Sequence, residues 1–168
     1  MFTDHELDRW YPVLFRTALR LTGSEPDAAD LTQQALCDGF EKREIFRGES
    51  APLTWLHRIL TNLFRDWARR RSGRWTEPRD EWGLRVVGSD EANAADRLAD
   101  QEQVERLREA IEGLSPTLRG AFVVTVMDGY SHREAAGILE VPVGTVASRV
   151  SAARLQIAAE MRKAFPET

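Results

Sequence analysis

GYSHREAAGILEVPVGTVASRVSAARLQ, residues Gly129 to Gln156, is the stretch from which the fold is read. Ser131 and Glu134 stand at the S-x-x-E spacing of a capping box, in which the serine hydroxyl and the glutamate carboxylate satisfy free amides at a helix start. Ala135, Ala136, Ile138 and Leu139 supply the buried face of that helix. The chain breaks at Glu140 and Val141, and Pro142 suits the first turn of a second helix, where its missing N–H costs nothing. The second helix is predicted from about Pro142 past Gln156. Within it Val146, Val150, Ala153 and Ile157 recur at helical spacing and face inward, leaving Thr145, Ser148, Arg149 and Ala152 on the outer side. Such a pair is a helix-turn-helix, whose outer residues would meet a DNA major groove.

Upstream, Trp55 to Arg71 (WLHRILTNLFRDWARRR) carries two stripes back to back on one helix. Leu56, Ile59, Leu60, Leu63 and Trp67 form an apolar face; Arg58, Asn62, Arg65 and Arg69 form a cationic and polar one. Arg70, Arg71 and Arg74 complement the negative end of the helix dipole and are equally able to pair with phosphates. An arginine-rich face of this kind is either solvated or set against a polyanion, and the pattern alone leaves both open. Trp67 belongs to the apolar stripe and is assigned to the core. Trp55 lies near the border of the two faces and is placed to pack or to stack.

The remaining chain organises around these units. Thr3 and Glu6 repeat the capping-box spacing, and Leu7, Trp10, Tyr11, Leu14, Ala18 and Leu21 give a helix ended by Gly23. Pro26 reopens the chain into a helix with Ala28, Leu31, Ala35, Leu36 and Phe40, and the loop Phe46 to Pro52 feeds the arginine-bearing helix. Residues 76–94 show no sustained periodicity and contain Pro78, Gly83 and Gly88, so they read as a linker. Helix resumes around Ala95 to Glu112. Ser115 and Pro116 start another helix, with Leu118, Phe122, Val123 and Val126 inside, stopped by Asp128 and Gly129. The expected fold is all-α: two small helical domains, residues 1–75 and 95–168, joined by the linker, the C-terminal one a helix-turn-helix domain.

Composition narrows the function. The chain has 168 residues, 42% of them hydrophobic, which is ordinary for a soluble protein. Cys37 stands alone, excluding an internal disulfide. No apolar run reaches the length of a bilayer span, and Asp4, His5 and Glu6 open the chain where a signal peptide would be basic and then apolar, so a cytoplasmic protein without membrane insertion is expected. The net charge is −4, unlike the basic footprint of a free-standing DNA-binding domain. Arginines concentrate between Arg58 and Arg79, whereas Asp90, Glu91, Asp96, Asp100 and Glu102 make the next stretch acidic. That segregation suits local DNA contact supported by a larger partner. His5, His57 and His132 are too scattered to form a metal set with Cys37, and no P-loop, Rossmann glycine pattern or nucleophile–base pair occurs. No metal, cofactor or enzymatic activity is expected.

With Asp27 to Phe40 (DAADLTQQALCDGF) added, the chain resembles bacterial sigma factors of the extracytoplasmic-function (ECF) group over most of its length. That group carries a D-A-E-D-L-x-Q-E-like helix and a W-L-x-R-I-x-x-N-x-x-x-D-x-x-R-R helix, matched here by Trp55, Leu56, Arg58, Ile59, Asn62, Asp66, Arg69 and Arg70. An L-P-x-x-x-R…G-x-S-x-x-E-x-A…P-x-G-T-V-x-S-R-x-x-x-A-R unit follows. Leu114, Pro116, Arg119, Gly129, Ser131, Glu134, Ala136, Pro142, Gly144, Thr145, Val146, Ser148, Arg149, Ala153 and Arg154 match it. Order and separation make the resemblance specific.

The resemblance implies a factor that binds core RNA polymerase and directs promoter recognition and transcription initiation at a specific regulon. It implies polymerase binding through Asp27, Asp30, Leu31, Gln33 and Gln34, with Gln34 replacing a usual glutamate and Gly39 a usual alanine. It assigns Phe46, Arg47, Gly48, Glu49, Ser50, Trp55 and Asn62 to the −10 element of melted promoter DNA, with Arg58, Arg65, Arg69 and Arg70 on strand phosphates. For the double-stranded −35 element it assigns Thr145, Ser148, Arg149, Ala152 and Arg154. Family members often have a basic residue where Ala147 stands and an arginine where Ala152 stands, so weak or unusual −35 recognition is implied, and Arg154 is left between DNA contact and a plain surface charge. The family further implies an anti-sigma factor as partner, and a linker whose Asp90 and Glu91 mimic nucleic-acid charge; Trp75 and Trp82 are candidate interface anchors. Two alternatives remain: a sigma-factor mimic that sequesters an anti-sigma factor, which Ala147 and Ala152 favour, and a plain helix-turn-helix repressor, which leaves the N-terminal half unexplained.

Overall fold

A computed structural model describes residues 4–72 and 94–165, and among these it contains helices and no strand. The expectations for Thr3, Arg74, Trp75, Arg79, Trp82, Asp90 and Glu91 and for the rest of residues 73–93 lie outside the described residues, as does the side chain of Leu7. In chain order the helices are α1 (Asp4–Thr22), α2 (Glu25–Glu41), α3 (Pro52–Ser72), α4 (Ala94–Glu112), α5 (Pro116–Phe122), α6 (His132–Leu139) and α7 (Val143–Ala164). No helix among the described residues is long and apolar enough to cross a membrane.

Local chemistry explains the boundaries. Gly23 takes φ 70 and donates its N–H to Leu19 O at 2.9 Å, closing α1 in a conformation that a Cβ disfavours. Ser24 then caps α2 by accepting from Asp27 N–H. Pro52 opens α3, and Arg69, Arg70 and Arg71 occupy its last turn, where cations meet the negative helix end. The capping box of α6 forms as read, with the Ser131 side chain accepting from Glu134 N–H and Glu134 accepting from Ser131 N–H at 2.9 Å.

α1, α2 and α3 pack around Leu14, Ala18, Ala28, Ala35, Trp55, Leu56 and Leu60. α5, α6 and α7 close over Ala121, Val124, Ala135, Ile138, Leu139, Val146 and Val150, while Ala110, Ile111, Leu114, Phe122, Ala153 and Ile157 bind α4 to the same unit. Each fully buried Leu or Ile contributes about 1.5–3 kcal/mol. A fourth cluster joins the halves, setting Leu21, Phe64 and Ala68 against Val123. The two halves therefore pack directly on one another, a contact that the sequence reading did not include.

Three apolar expectations are corrected. Tyr11 and Phe40 are exposed; Tyr11 stacks on Phe15 and Phe40 lies under the Arg43 guanidinium, 4.1 Å from the ring centroid. Val126 is also exposed, because α5 runs into a π-helical turn over Val123–Met127. The wider turn shifts the phase, putting Val124 inside and Val126 outside.

Gly39 sits where α2 meets α3, and a Cβ there would run into Leu56 Cδ2. Leu56 is itself buried, so its rotamer has little room to yield. Gly39→Ala is expected to lower stability by about 1–2 kcal/mol through overpacking, read as a lower urea midpoint; an unchanged midpoint would show that Leu56 repacks freely.

Candidate nucleic-acid interface

The loop before α3 turns at Gly48, which has φ 70, and folds Phe46 onto Trp55 with ring centroids 5.0 Å apart. Trp55 is buried, so of its two readings the structure realises packing. A cavity of about 440 Å³ opens beside this aromatic pair. Ile45, Phe46, Arg47, Glu49, Ser50, Thr54, Trp55 and Arg58 line it from the loop and α3, and Arg133, Glu134 and Gly137 line it from α6. Apolar ring surface with guanidinium groups at the rim is chemistry suited to a nucleobase and its phosphate.

Farther along α3, Asn62, Arg65, Asp66 and Arg69 line a second cleft with Thr117 and Glu140. Arg69 Nη2 pairs with Asp66 Oδ1 at 2.6 Å, and Arg70 Nε donates to Asp66 O at 3.4 Å. Gly48 and Arg70 line neither cavity. Trp67 is half-buried and stacked on Phe64, as its apolar stripe required, and the Arg71 guanidinium lies over its ring.

On α7 the inward set Val146, Val150, Ala153 and Ile157 is buried as predicted. Ser148 and Arg154 are exposed, whereas Thr145, Arg149 and Ala152 are half-buried. On α2, Asp30, Gln33 and Gln34 form an exposed polar face, with Gln34 Nε2 donating to Asp38 Oδ1 at 2.5 Å. Leu31 packs against the core, and Asp27 pairs with Arg71 at 3.5 Å.

The seam between the halves holds the residues that sequence reasoning missed. Arg20 Nη1 meets Asp128 Oδ1 at 2.6 Å and donates to Met127 O at 3.2 Å, while Thr17 Oγ1 donates to Asp128 Oδ2 at 2.8 Å. Arg119 Nη1 reaches across to Leu21 O at 2.8 Å, and Thr61 Oγ1 to Ile138 O at 3.2 Å. Burial pulls the Arg119 guanidinium down to about 10, with the Glu112 carboxylate opposing, so it remains charged at neutral pH. His57, Thr61, Phe64 and Ala68 form a third, buried face of α3 between the two stripes. Their helical spacing was visible; that two polar members are buried against the other half was not.

His57 is the titratable centre of the seam. Its Nδ1 lies 2.9 Å from Leu53 O and 3.1 Å from the Tyr130 hydroxyl, its Nε2 lies 3.1 Å from Thr17 Oγ1, and the charged groups beyond are Asp128, Arg20 and Glu134. Burial holds the imidazole below its usual value, against the opposing pull of the Leu53 carbonyl and the Asp128 carboxylate. The unfolded chain takes up a proton near pH 6.5 and the folded chain resists it, so this contribution is fully present above about pH 6.5 and is lost as pH falls below it. The urea midpoint is expected to drop between about pH 7 and about pH 5, and His57→Gln to flatten that drop; equal slopes in both proteins would contradict the assignment.

An all-α chain with a helix-turn-helix in one half and an arginine-faced helix in the other, the two sharing an aromatic-walled cavity, defines a nucleic-acid-binding protein built in two parts. Residues 7–74 match the family described as Sigma-70 region 2, and residues 104–157 the family described as Sigma-70, region 4. The chain is 35% identical over 155 residues to the ECF RNA polymerase sigma factor SigE of Mycolicibacterium smegmatis, a match covering 92% of this chain and 60% of that protein. It is 33% identical over 135 residues to the ECF RNA polymerase sigma-E factor of Escherichia coli K12, covering 76% of this chain and 70% of that one. Its fold is similar to that of the sigma factor RpoE from Bartonella quintana, solved in complex with the anti-sigma factor NepR: TM-score 0.72, 25% identity, 94% and 95% of the two chains covered. The chain belongs to the ECF sigma factors, a family of transcription initiation factors rather than enzymes.

Proposed function

We propose that this protein is a cytoplasmic sigma factor that binds bacterial core RNA polymerase and directs it to the promoters of a specific regulon. In this reading residues 1–75 bind polymerase and the −10 element, residues 95–168 bind the −35 element, and residues 76–94 connect them. The observation that carries it is the loop-and-α3 wall of that shared cavity, where Phe46, backed by the buried Trp55, meets Arg58. A base leaving the duplex costs a few kcal/mol per unstacked step, and an aromatic wall with a cationic rim offsets that cost. Arg65, Arg69 and Arg70 then follow the strand by its phosphates. The exposed Asp30, Gln33 and Gln34 supply the polymerase surface, and Thr145, Ser148, Arg149, Ala152 and Arg154 supply the −35 surface.

Likeness to a sigma factor solved with its anti-sigma factor supports such a regulator here as well. Ala147 and Ala152, both half-buried on α7, favour a second reading, a mimic that titrates that regulator. Promoter melting by the wild-type protein separates the two, and Arg58→Ala tests the role of α3. The initiation reading expects promoter melting, followed by permanganate reactivity of unpaired thymines, to fall about tenfold, as for loss of one good contact of 1–3 kcal/mol. Core-polymerase affinity should stay unchanged. Equal loss of both would contradict the assignment of α3, and wild-type protein that melts no promoter would favour the mimic.

A further inference from the structure

Among the described residues Glu140 is the only non-glycine with positive φ, at φ 56 and ψ 45 in the turn between α6 and α7. A side chain with a Cβ is disfavoured there, and glutamate lacks the short local hydrogen bonding that lets asparagine tolerate it. This turn carries the Glu140 carboxylate across the seam. Its Oε2 accepts from Asn62 Nδ2 at 3.0 Å and lies 3.6 Å from Arg65 Nη2, while Arg65 also donates to Asn62 Oδ1. One carboxylate thus engages two side chains read above as DNA contacts.

We propose that Glu140 acts as an intramolecular stand-in for a DNA phosphate, holding the helix-turn-helix over the promoter-reading face of α3 and masking that face until the two halves part. The inference rests on the reading of Asn62 and Arg65 as DNA contacts. Carboxylate and phosphate offer the same anionic acceptor oxygens to a guanidinium, so one replaces the other directly. Thr61, on the turn of α3 preceding Arg65, hydrogen-bonds Ile138 O, and the Arg20–Asp128 pair links α1 to the segment before α6. The carboxylate is therefore presented by a packed helix end. Side-chain exposures of 41% for Arg65 and 50% for Glu140 keep the clamp weak and salt-sensitive, as a displaceable mask must be.

Promoter geometry requires the displacement. Elements centred ten and thirty-five positions upstream of a start site lie about 85 Å apart along B-DNA at about 3.4 Å per base pair. With Glu140 touching α3 at the base of α7, the closed form cannot span both.

The test uses the full chain labelled at the exposed native Cys37 and at a cysteine introduced at Leu155, which is 69% exposed, with energy transfer reporting closure. A fluorescein-labelled random-sequence single-stranded DNA pool reports binding. Glu140→Gly removes the carboxylate and relieves the backbone, so it should melt no lower than wild type while lowering energy transfer and tightening DNA binding about two- to fivefold at low salt, with the difference closing at high salt. Glu140→Gln, which keeps the backbone demand and a hydrogen bond to Asn62, should fall between. Unchanged transfer and affinity in Glu140→Gly would overturn the proposal. Opening without tighter binding would overturn it too, and Arg65→Ala in the Glu140→Gly background then locates the fault. If that change weakens DNA binding, only the masking is wrong; if it is silent, the DNA reading of Arg65 is wrong.

Discussion

Arg119→Ala is expected to cost the folded chain about 3 kcal/mol or more, because one buried guanidinium satisfies three carbonyls on two halves of the protein. Arg119 donates to Leu21 O at the end of α1, to Glu112 O at the end of α4, and to Leu114 O in the following turn. The last carbonyls of a helix have no partner within it, so truncation strands acceptors in a region closed to water. Each buried group left unsatisfied costs about 1–3 kcal/mol. Arg119 Nε makes no hydrogen bond, which sets the site's yield below the full capacity of the side chain. Arg119→Lys keeps the charge but not the fork, so partial rescue is expected. Urea unfolding measures both, and a loss below about 1 kcal/mol for the alanine variant would show that water replaces the guanidinium.

Asp128→Ala is expected to open the seam while leaving each half folded. Its carboxylate receives Arg20 and Thr17 together, and its side chain is 9% exposed, so the two bonds are largely shielded. Charge-assisted hydrogen bonds contribute about 1.5–3 kcal/mol; with Arg20 a third exposed and free to rehydrate, about 2 kcal/mol is the expected loss, near a 30-fold shift from closed to open. Small-angle scattering should record a larger radius of gyration while helix content stays constant. Unchanged dimensions with reduced global stability would instead make Asp128 a structural residue of α1 and the π-helical turn.

The contrast between these residues and those read from sequence has a physical basis. Ser131, Glu134, Pro142 and the Val146–Val150–Ala153–Ile157 stripe act within a few residues of one another, so spacing alone predicted α6 and α7. Leu56 and Leu60 were found the same way. Val126 was misplaced because periodicity assumes an α-helical phase, and the π-helical turn at Val123–Met127 breaks it. Thr17, His57, Thr61, Asp128 and Glu140 were missed for a different reason. Each is polar, and its partner lies 40 or more positions away: Thr17 with His57, Thr61 with Ile138, Asn62 with Glu140. Hydrophobic pattern reports burial against apolar groups, not polar complementarity between distant helices. Asn62 and Arg65 were correctly put on a polar face, yet that face meets Glu140 rather than open solvent. The assignment of α2 to polymerase and of α3 and α7 to particular promoter elements came from resemblance, whereas DNA contact by α7 was read from the helix-turn-helix pattern and left open for the arginine stripe of α3.

Whether this protein directs promoter choice is decided by transcription from a genomic promoter library with purified bacterial core polymerase, in its presence and in its absence. New start sites are expected only with the protein, sharing upstream motifs at the −10 and −35 positions, the −35 motif being the weaker because Ala147 and Ala152 provide no cation. Binding to core polymerase without any new start site, or no binding to it at all, would contradict a promoter-directing role.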